Sequence, residues 1–168
     1  MAIKVFKKIT TGGMPRERLL QRLAEAGIQH NDYARVLFND QHFTTSEPHQ
    51  GNLVVVAVKE LGLNDGGTSS EIFAAASRQG LALCTLELAA HFRLQYMDQP
   101  EGPYLTVASA KTRDDEEYPN GFYLRRLNGT LWLRGYRATS DYIWEPASAF
   151  AFLINRRKDL CRLPLLPE

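Results

Sequence analysis

The chain has 168 residues, of which 44% are hydrophobic and 23% charged, and its net charge is +1. Those values are those of a globular domain with a real core and exclude a low-complexity or disordered chain. The charge balance excludes a global drive towards nucleic acid or an anionic membrane, and no run reaches the about 20 apolar residues of a membrane helix.

Residues 2–7 alternate enough for a short strand or a loose arm, and Thr10, Thr11, Gly12 and Gly13 read as a flexible joint. Pro15 suits a first helical turn, where its missing N–H costs nothing. Leu19, Leu20, Leu23 and Ala26 then recur at helical spacing, with Gly27 as the stop. Asn31 or His30 caps a second short helix through Tyr33, Val36 and Leu37. Residues 39–52 are polar and read as a loop. This gives an N-terminal arm and helical pair over 1–50 and an α+β domain over 51–168, expected to pack as one compact unit.

The run Leu53-Val54-Val55-Val56-Ala57-Val58 predicts a strand buried on both faces, because it is continuous and rich in β-branched residues. Asn64-Asp65-Gly66-Gly67 is a turn. Thr68 with Glu71 has the spacing of a capping box, opening a helix that carries Ile72, Phe73, Ala75 and Ala76 and ends at Gly80. Residues 84–91 read as a short helix, 92–97 and 104–110 as alternating strands, and 98–103 as the turn between them. Asp114, Asp115, Glu116 and Glu117 make a charged, solvated loop.

Asn128-Gly129 between two alternating runs predicts a two-residue type I′ hairpin. That turn fixes the register: Leu127 opposite Thr130, Arg125 opposite Trp132, Tyr123 opposite Arg134. Phe122, Leu124, Leu131 and Leu133 then face the core. The other face presents Tyr123, Arg125, Trp132, Arg134 and Tyr136. Such a face can stack bases and meet phosphates, or receive an acidic partner; it is also what ordinary cross-strand pairing produces. A last strand follows over 149–154, before a basic tail with Arg156, Arg157, Lys158 and Arg162.

Read as a strand, residues 92–97 place Arg93 and Gln95 on one face and Tyr96 on the other, with Asp98 at the end and Glu87 just upstream. Glu87, Arg93 and Asp98 are the catalytic candidates: Arg can fix an anion bidentately while a carboxylate acts as base. A structural ion pair uses the same residues. Gln95 and Tyr96 join the hairpin residues as binding candidates.

Asp65-Gly66, residues 81–84, Glu87, Arg93-Leu94-Gln95-Tyr96, Asp98-Gln99-Pro100, Gly102, Trp132-Leu133 and Trp144-x-Pro146 together resemble a family of short uncharacterised bacterial proteins, over about residues 53–153. Thr85 stands where that family tends to have Pro, and Ala89-Ala90 where it has Gly-Pro. Members sometimes carry the name helicase. This chain has no Gly-x-x-x-x-Gly-Lys-Ser/Thr loop to hold a triphosphate. The resemblance implies a shared fold and polar site, and no activity.

The four histidines, His30, His42, His49 and His91, lack metal-ligand spacing. Cys84 and Cys161 are far apart with no CxxC, so neither a zinc site nor a disulfide framework is expected, and the reducing cytoplasm is the expected compartment. No cofactor is implied. Cys84 reads as a small buried hydrophobe. The helical pair with Arg16, Arg18, Arg22 and Arg35 resembles a helix-turn-helix only loosely.

The expected architecture is α+β: an N-terminal helix pair, then a mostly antiparallel sheet of about five strands with one or two packed helices. The expected function is binding of a protein or an anionic small molecule on the polar sheet face. The alternatives are a small hydrolase or nuclease built on Glu87, Arg93 and Asp98, and nucleic-acid binding through the hairpin.

Overall fold

The computed structural model describes residues 3–155; the basic tail and Cys161 lie outside them. Seven strands and four helices alternate: β1 (Lys7–Thr11), α1 (Arg16–Glu25), α2 (Asp32–Phe38), β2 (His49–Ala57), α3 (Ser69–Arg78), β3 (Leu81–Ala82), α4 (Leu86–Gln95), β4 (Leu105–Val107), β5 (Gly121–Leu127), β6 (Thr130–Tyr136) and β7 (Ala149–Ile154). The strands form one sheet in the order β1-β2-β7-β4-β5-β6, with β3 paired to β7.

The α+β class is as expected, but the sheet is mixed rather than mostly antiparallel. β4 runs parallel to β7, with Leu105 opposite Ala149 and Val107 opposite Ala151. A parallel pair needs a long connection. Here that connection contains the whole β5–β6 hairpin, so no local signal announces it.

Each face of the sheet has its own core. Ile9, Leu53, Val107, Phe122, Leu124 and Leu133 pack with α1, α2 and α4 on one face. Val54, Val56, Phe150 and Phe152 pack with Ile72, Ala75 and Ala76 of α3 on the other. β2 contributes to both clusters, which is why its sequence is a continuous apolar run instead of an alternating one. α3 covers only the β2–β7 part of its face. Along β4, β5 and β6 no helix covers that face, and Ala138 and Trp144 close part of it.

Residues 92–97 correct the strand expectation: they belong to α4 up to Gln95. Eight consecutive residues of α4, Leu86 to Arg93, are buried. A helix buried all round carries no amphipathic stripe, and the alternation of Phe92, Leu94 and Tyr96 then imitates a strand. Thr85 caps the helix by accepting from Leu88 N–H at 3.1 Å. The strand expected over 2–7 lies further on, at Lys7–Thr11, taking in Thr10 and Thr11 of the expected joint, and β2 begins at His49 inside the expected loop. The capping and stop signals hold. Thr68 and Glu71 form the capping box of α3, Asn31 caps α2, and Gly27 and Gly80 adopt positive φ just past α1 and α3.

Candidate functional site

Glu87, Arg93 and Asp98 are not brought together. Glu87 and Arg93 are six residues apart on α4, so they leave the helix in different directions. Glu87 accepts from Ser46, at 3.1 Å from its backbone N–H and 2.6 Å from its hydroxyl. Asp98 is exposed in the turn after the helix.

Arg93 is fully buried and has no ion pair among the described residues. Its Nη1 donates to Gln99 Oε1 at 2.6 Å and to Trp132 O at 3.2 Å, and its Nη2 donates to Tyr96 O. Gln99 in turn donates to Leu124 O at 3.0 Å. Burial pushes the Arg93 pKa down to about 10, and the side chain remains a cation near neutrality. It is a bracket that ties α4 to the hairpin: its two Nη groups are met by carbonyl dipoles, while its buried Nε has no hydrogen-bond partner among the described residues.

His91, one turn beyond Glu87, accepts from Gly12 N–H through Nε2 at 3.3 Å. Burial lowers its pKa, opposed by the Glu87 carboxylate and assisted by His49 and Arg22. With His91 Nε2 taken by Gly12 N–H, the carboxylate of Glu87 is the group that receives the Ser46 hydroxyl. The cluster therefore knots the glycine joint and the 44–48 loop onto α4. Gly12 is required there: it has φ +89°, and a Cβ would lie 2.5 Å from Glu47 O.

Gln95 spends its amide on β1, donating to Thr10 O at 2.7 Å and accepting from Thr10 N–H at 3.0 Å. Tyr96 stacks on Phe92 at 5.6 Å and meets Phe6 edge-on at 5.2 Å. Both residues pack on the helix-covered face of the sheet, away from the hairpin's polar face. Burial pushes the Cys84 thiol up to about 12, which makes it an inert core residue.

The hairpin has the expected register throughout: Tyr123 opposite Arg134, Arg125 opposite Trp132, Leu127 opposite Thr130. Asn128 and Gly129 take φ values of 52° and 77°, as a type I′ turn demands. Phe122, Leu124 and Leu133 are fully buried, so Tyr123, Arg125, Trp132, Arg134 and Tyr136 lie on the open half of the other face.

The structure divides these five. Tyr123, Arg125 and Tyr136 line a groove of about 310 Å³ with Tyr104, Thr106, Arg137, Ala138, Tyr142 and Trp144. Trp132 and Arg134 lie beside it, with the Arg134 guanidinium 5.0 Å from the Trp132 ring and 5.9 Å from the Tyr123 ring. Tyr104, Thr106, Tyr142 and Trp144 were not among the sequence candidates. The alternation over 104–110 already placed Tyr104 and Thr106 on one strand face; nothing local showed that the 138–145 segment folds back over it.

Two aromatic walls bound the groove. Tyr104 and Tyr123 meet edge-on at 5.6 Å. Opposite them, Trp144 meets Tyr136 at 5.6 Å and Tyr142 at 5.2 Å, both edge-on. The Trp144 wall is anchored: its indole N–H donates to Ser69 Oγ at 3.0 Å, and its backbone exchanges bonds of 2.8 and 3.2 Å with Gly67. Burial pushes the Tyr136 phenol above its ordinary range, so it stays a protonated donor.

The two arginines of the groove differ in charge balance. Arg137 is paired with Glu117 of the acidic loop. Arg125 donates through Nε to Gly102 O at 2.8 Å and makes no ion pair among the described residues. The arrangement can therefore stack a flat group and place one cation against it.

Comparisons with protein-family models, with curated proteins and with solved structures found no match. Among the described residues, no group of three His, Cys, Asp or Glu side chains is placed to hold a metal ion. No helix among them is long and apolar enough to cross a membrane.

Proposed function

We propose that the protein is a binding module and that its ligand, an anionic small molecule, sits in the groove on the open half of the sheet. The observation that carries this reading is Arg125, a guanidinium with no ion pair among the described residues, at the lip of a ring-walled groove of about 310 Å³. Pockets of about that volume with aromatic walls and few polar groups are typical small-molecule sites. The module works in the cytoplasm and belongs with the short bacterial proteins its sequence resembles.

The test is to purify the protein from its host under non-denaturing conditions, with nuclease, and to release and identify what accompanies it by mass spectrometry. An anionic small molecule near one per chain, lost from the Tyr123→Ala/Arg125→Gln double variant, supports the reading. A partner protein with no small molecule, or a ligand retained by the double variant, overturns it.

The Arg134–Trp132 stack favours a second reading, single-stranded nucleic acid lying across the hairpin, where aromatic rings stack bases and arginines meet phosphate. That reading requires steep loss of binding with salt. A hydrolase or nuclease centred on Glu87, Arg93 and Asp98 has no shared cleft to work in.

A further inference from the structure

Resting on the reading of the groove as a binding site, we infer the chemical class of its ligand: a planar ring system of about two fused rings carrying a single carboxylate, its rings between the two aromatic walls and its carboxylate on Arg125. Four features of the groove converge on that class.

The first is size. A cavity of ~150 Å³ holds one benzene ring, and the groove offers about 310 Å³. The second is wall geometry. The Tyr104–Tyr123 pair and the Tyr136–Trp144–Tyr142 group both line the groove, together with Thr106, which is 1% exposed. A flat guest between such walls gains offset or edge-on ring contacts on both sides.

The third is charge. Of the two arginines lining the groove, Arg137 is matched by Glu117. Glu116, beside it, is turned towards Ser140, accepting from its N–H at 3.3 Å and its hydroxyl at 3.2 Å. Within the lining one cation, Arg125, is left to balance a guest; Arg134, outside the lining, lies over the Trp132 and Tyr123 rings, and the neighbouring acids repel a second negative charge. A monoanion fits this balance; a phosphodiester chain or a phosphate dianion does not.

The fourth is hydrogen-bonding capacity. Tyr104, Tyr123, Tyr136 and Tyr142 bring four phenol groups to the lining. Arg125 uses Nε on Gly102 O, which aims and immobilises its stem while both Nη groups remain for a two-pronged contact with a carboxylate.

The experiment is a titration of the whole protein with 2-naphthoate, its neutral counterpart naphthalene-2-methanol, and adenosine 5′-monophosphate, followed by amide and arginine side-chain NMR shifts. The expected result is saturable binding of 2-naphthoate that moves the 104, 123, 125 and 136 signals. Naphthalene-2-methanol and Arg125→Gln should each weaken it by about tenfold or more, the scale of one hydrogen-bonded charge contact. Arg18→Gln, on the far side of the sheet, should leave it unchanged. An unchanged amide spectrum of the 121–136 hairpin checks that Arg125→Gln is folded, and Arg125→Lys, which keeps the charge but loses the fork, should fall between the two.

If naphthoate and its neutral counterpart bind the groove alike and Arg125→Gln changes nothing, the carboxylate assignment is overturned while the groove stands as a binding site. If the nucleotide binds more tightly than naphthoate, the monoanion assignment is overturned. If no probe moves the groove signals, both this inference and the reading it rests on fail.

Discussion

The side-chain amide of Asn31 completes the edge of β6: it accepts from Gly135 N–H at 2.9 Å and donates to Gly135 O at 2.8 Å. Gln95 does the same at the opposite edge, bonding both N–H and O of Thr10. At each end of the sheet one amide supplies the donor and acceptor of a strand that is not there. Open edges invite pairing with other chains; on β6 Asn31 acts beside the Gln29 backbone, which bonds Leu131 O and Leu133 N–H at 3.0 Å each.

Asn31 also caps α2, accepting from Ala34 N–H at 3.0 Å. Asn31→Ala therefore loses the cap and both edge bonds, and should lower stability by about 2–3 kcal/mol in urea unfolding. Asn31→Asp keeps the two accepted bonds and loses the donated one, so it should cost clearly less.

Asp40 is a structural carboxylate. Its side chain is 1% exposed. It accepts from Tyr118 at 2.5 Å, Thr112 at 2.9 Å, and the N–H and ring Nδ1 of His42 at 2.7 and 2.9 Å. Burial would raise its pKa, but these bonds, Tyr118 foremost, outweigh burial and hold it at about 2. The folded value lies below the unfolded one. The stabilisation is therefore complete above pH ~4 and is lost as the pH falls through about 2, to the extent of ~2 kcal/mol. Asp40→Asn should flatten the acid limb of the stability curve by that amount.

Burial lowers the pKa of His91 and of His30. Both are neutral in the fold, so the unfolded chain binds protons first as the pH drops. Their contribution is complete above pH ~6.5 and declines below it. Protonation of His91 also converts the acceptor of Gly12 N–H into a donor. The protection factor of the Gly12 amide should fall as His91 becomes protonated below that pH, and His91→Gln should remove the pH dependence of that protection factor.

Arg93→Met keeps much of the volume but leaves Gln99 Oε1, Trp132 O and Tyr96 O without their donor. A loss of ~3 kcal/mol is expected, since buried acceptors are left unpaired. Differential scanning calorimetry reads it directly. Asp98→Ala, on the exposed turn, should be nearly silent.

The hairpin, its register and its open face were legible because an Asn-Gly turn with period-2 flanks is local information. β2 was legible because only a strand buried on both sides carries that run. α4 was not. Its burial on every side removes the helical stripe, and Thr85 at its cap was the one usable sign, with Ala89 and Ala90 as good helix formers behind it. The pairing of Glu87 with Ser46 and of Arg93 with Gln99 depends on where α4 lies, so the misread helix carried the misplaced site with it. The groove was half visible: Tyr123 and Arg125 come from the hairpin, while Tyr142 and Trp144 arrive from a segment whose position only the tertiary fold decides.

β7 pairs with β2, β3 and β4, all of which precede it in the chain. Without it, the β1–β2 ribbon and the β4–β5–β6 meander have no strand between them. The hairpin can form early, since its contacts are local, but joining the halves waits on pairings far apart in sequence and is correspondingly slow. During synthesis on the ribosome the two ribbons must stay apart until residues 149–154 emerge. The apolar faces of β2 and β4 are exposed for that whole interval, which is when the growing chain most needs a chaperone.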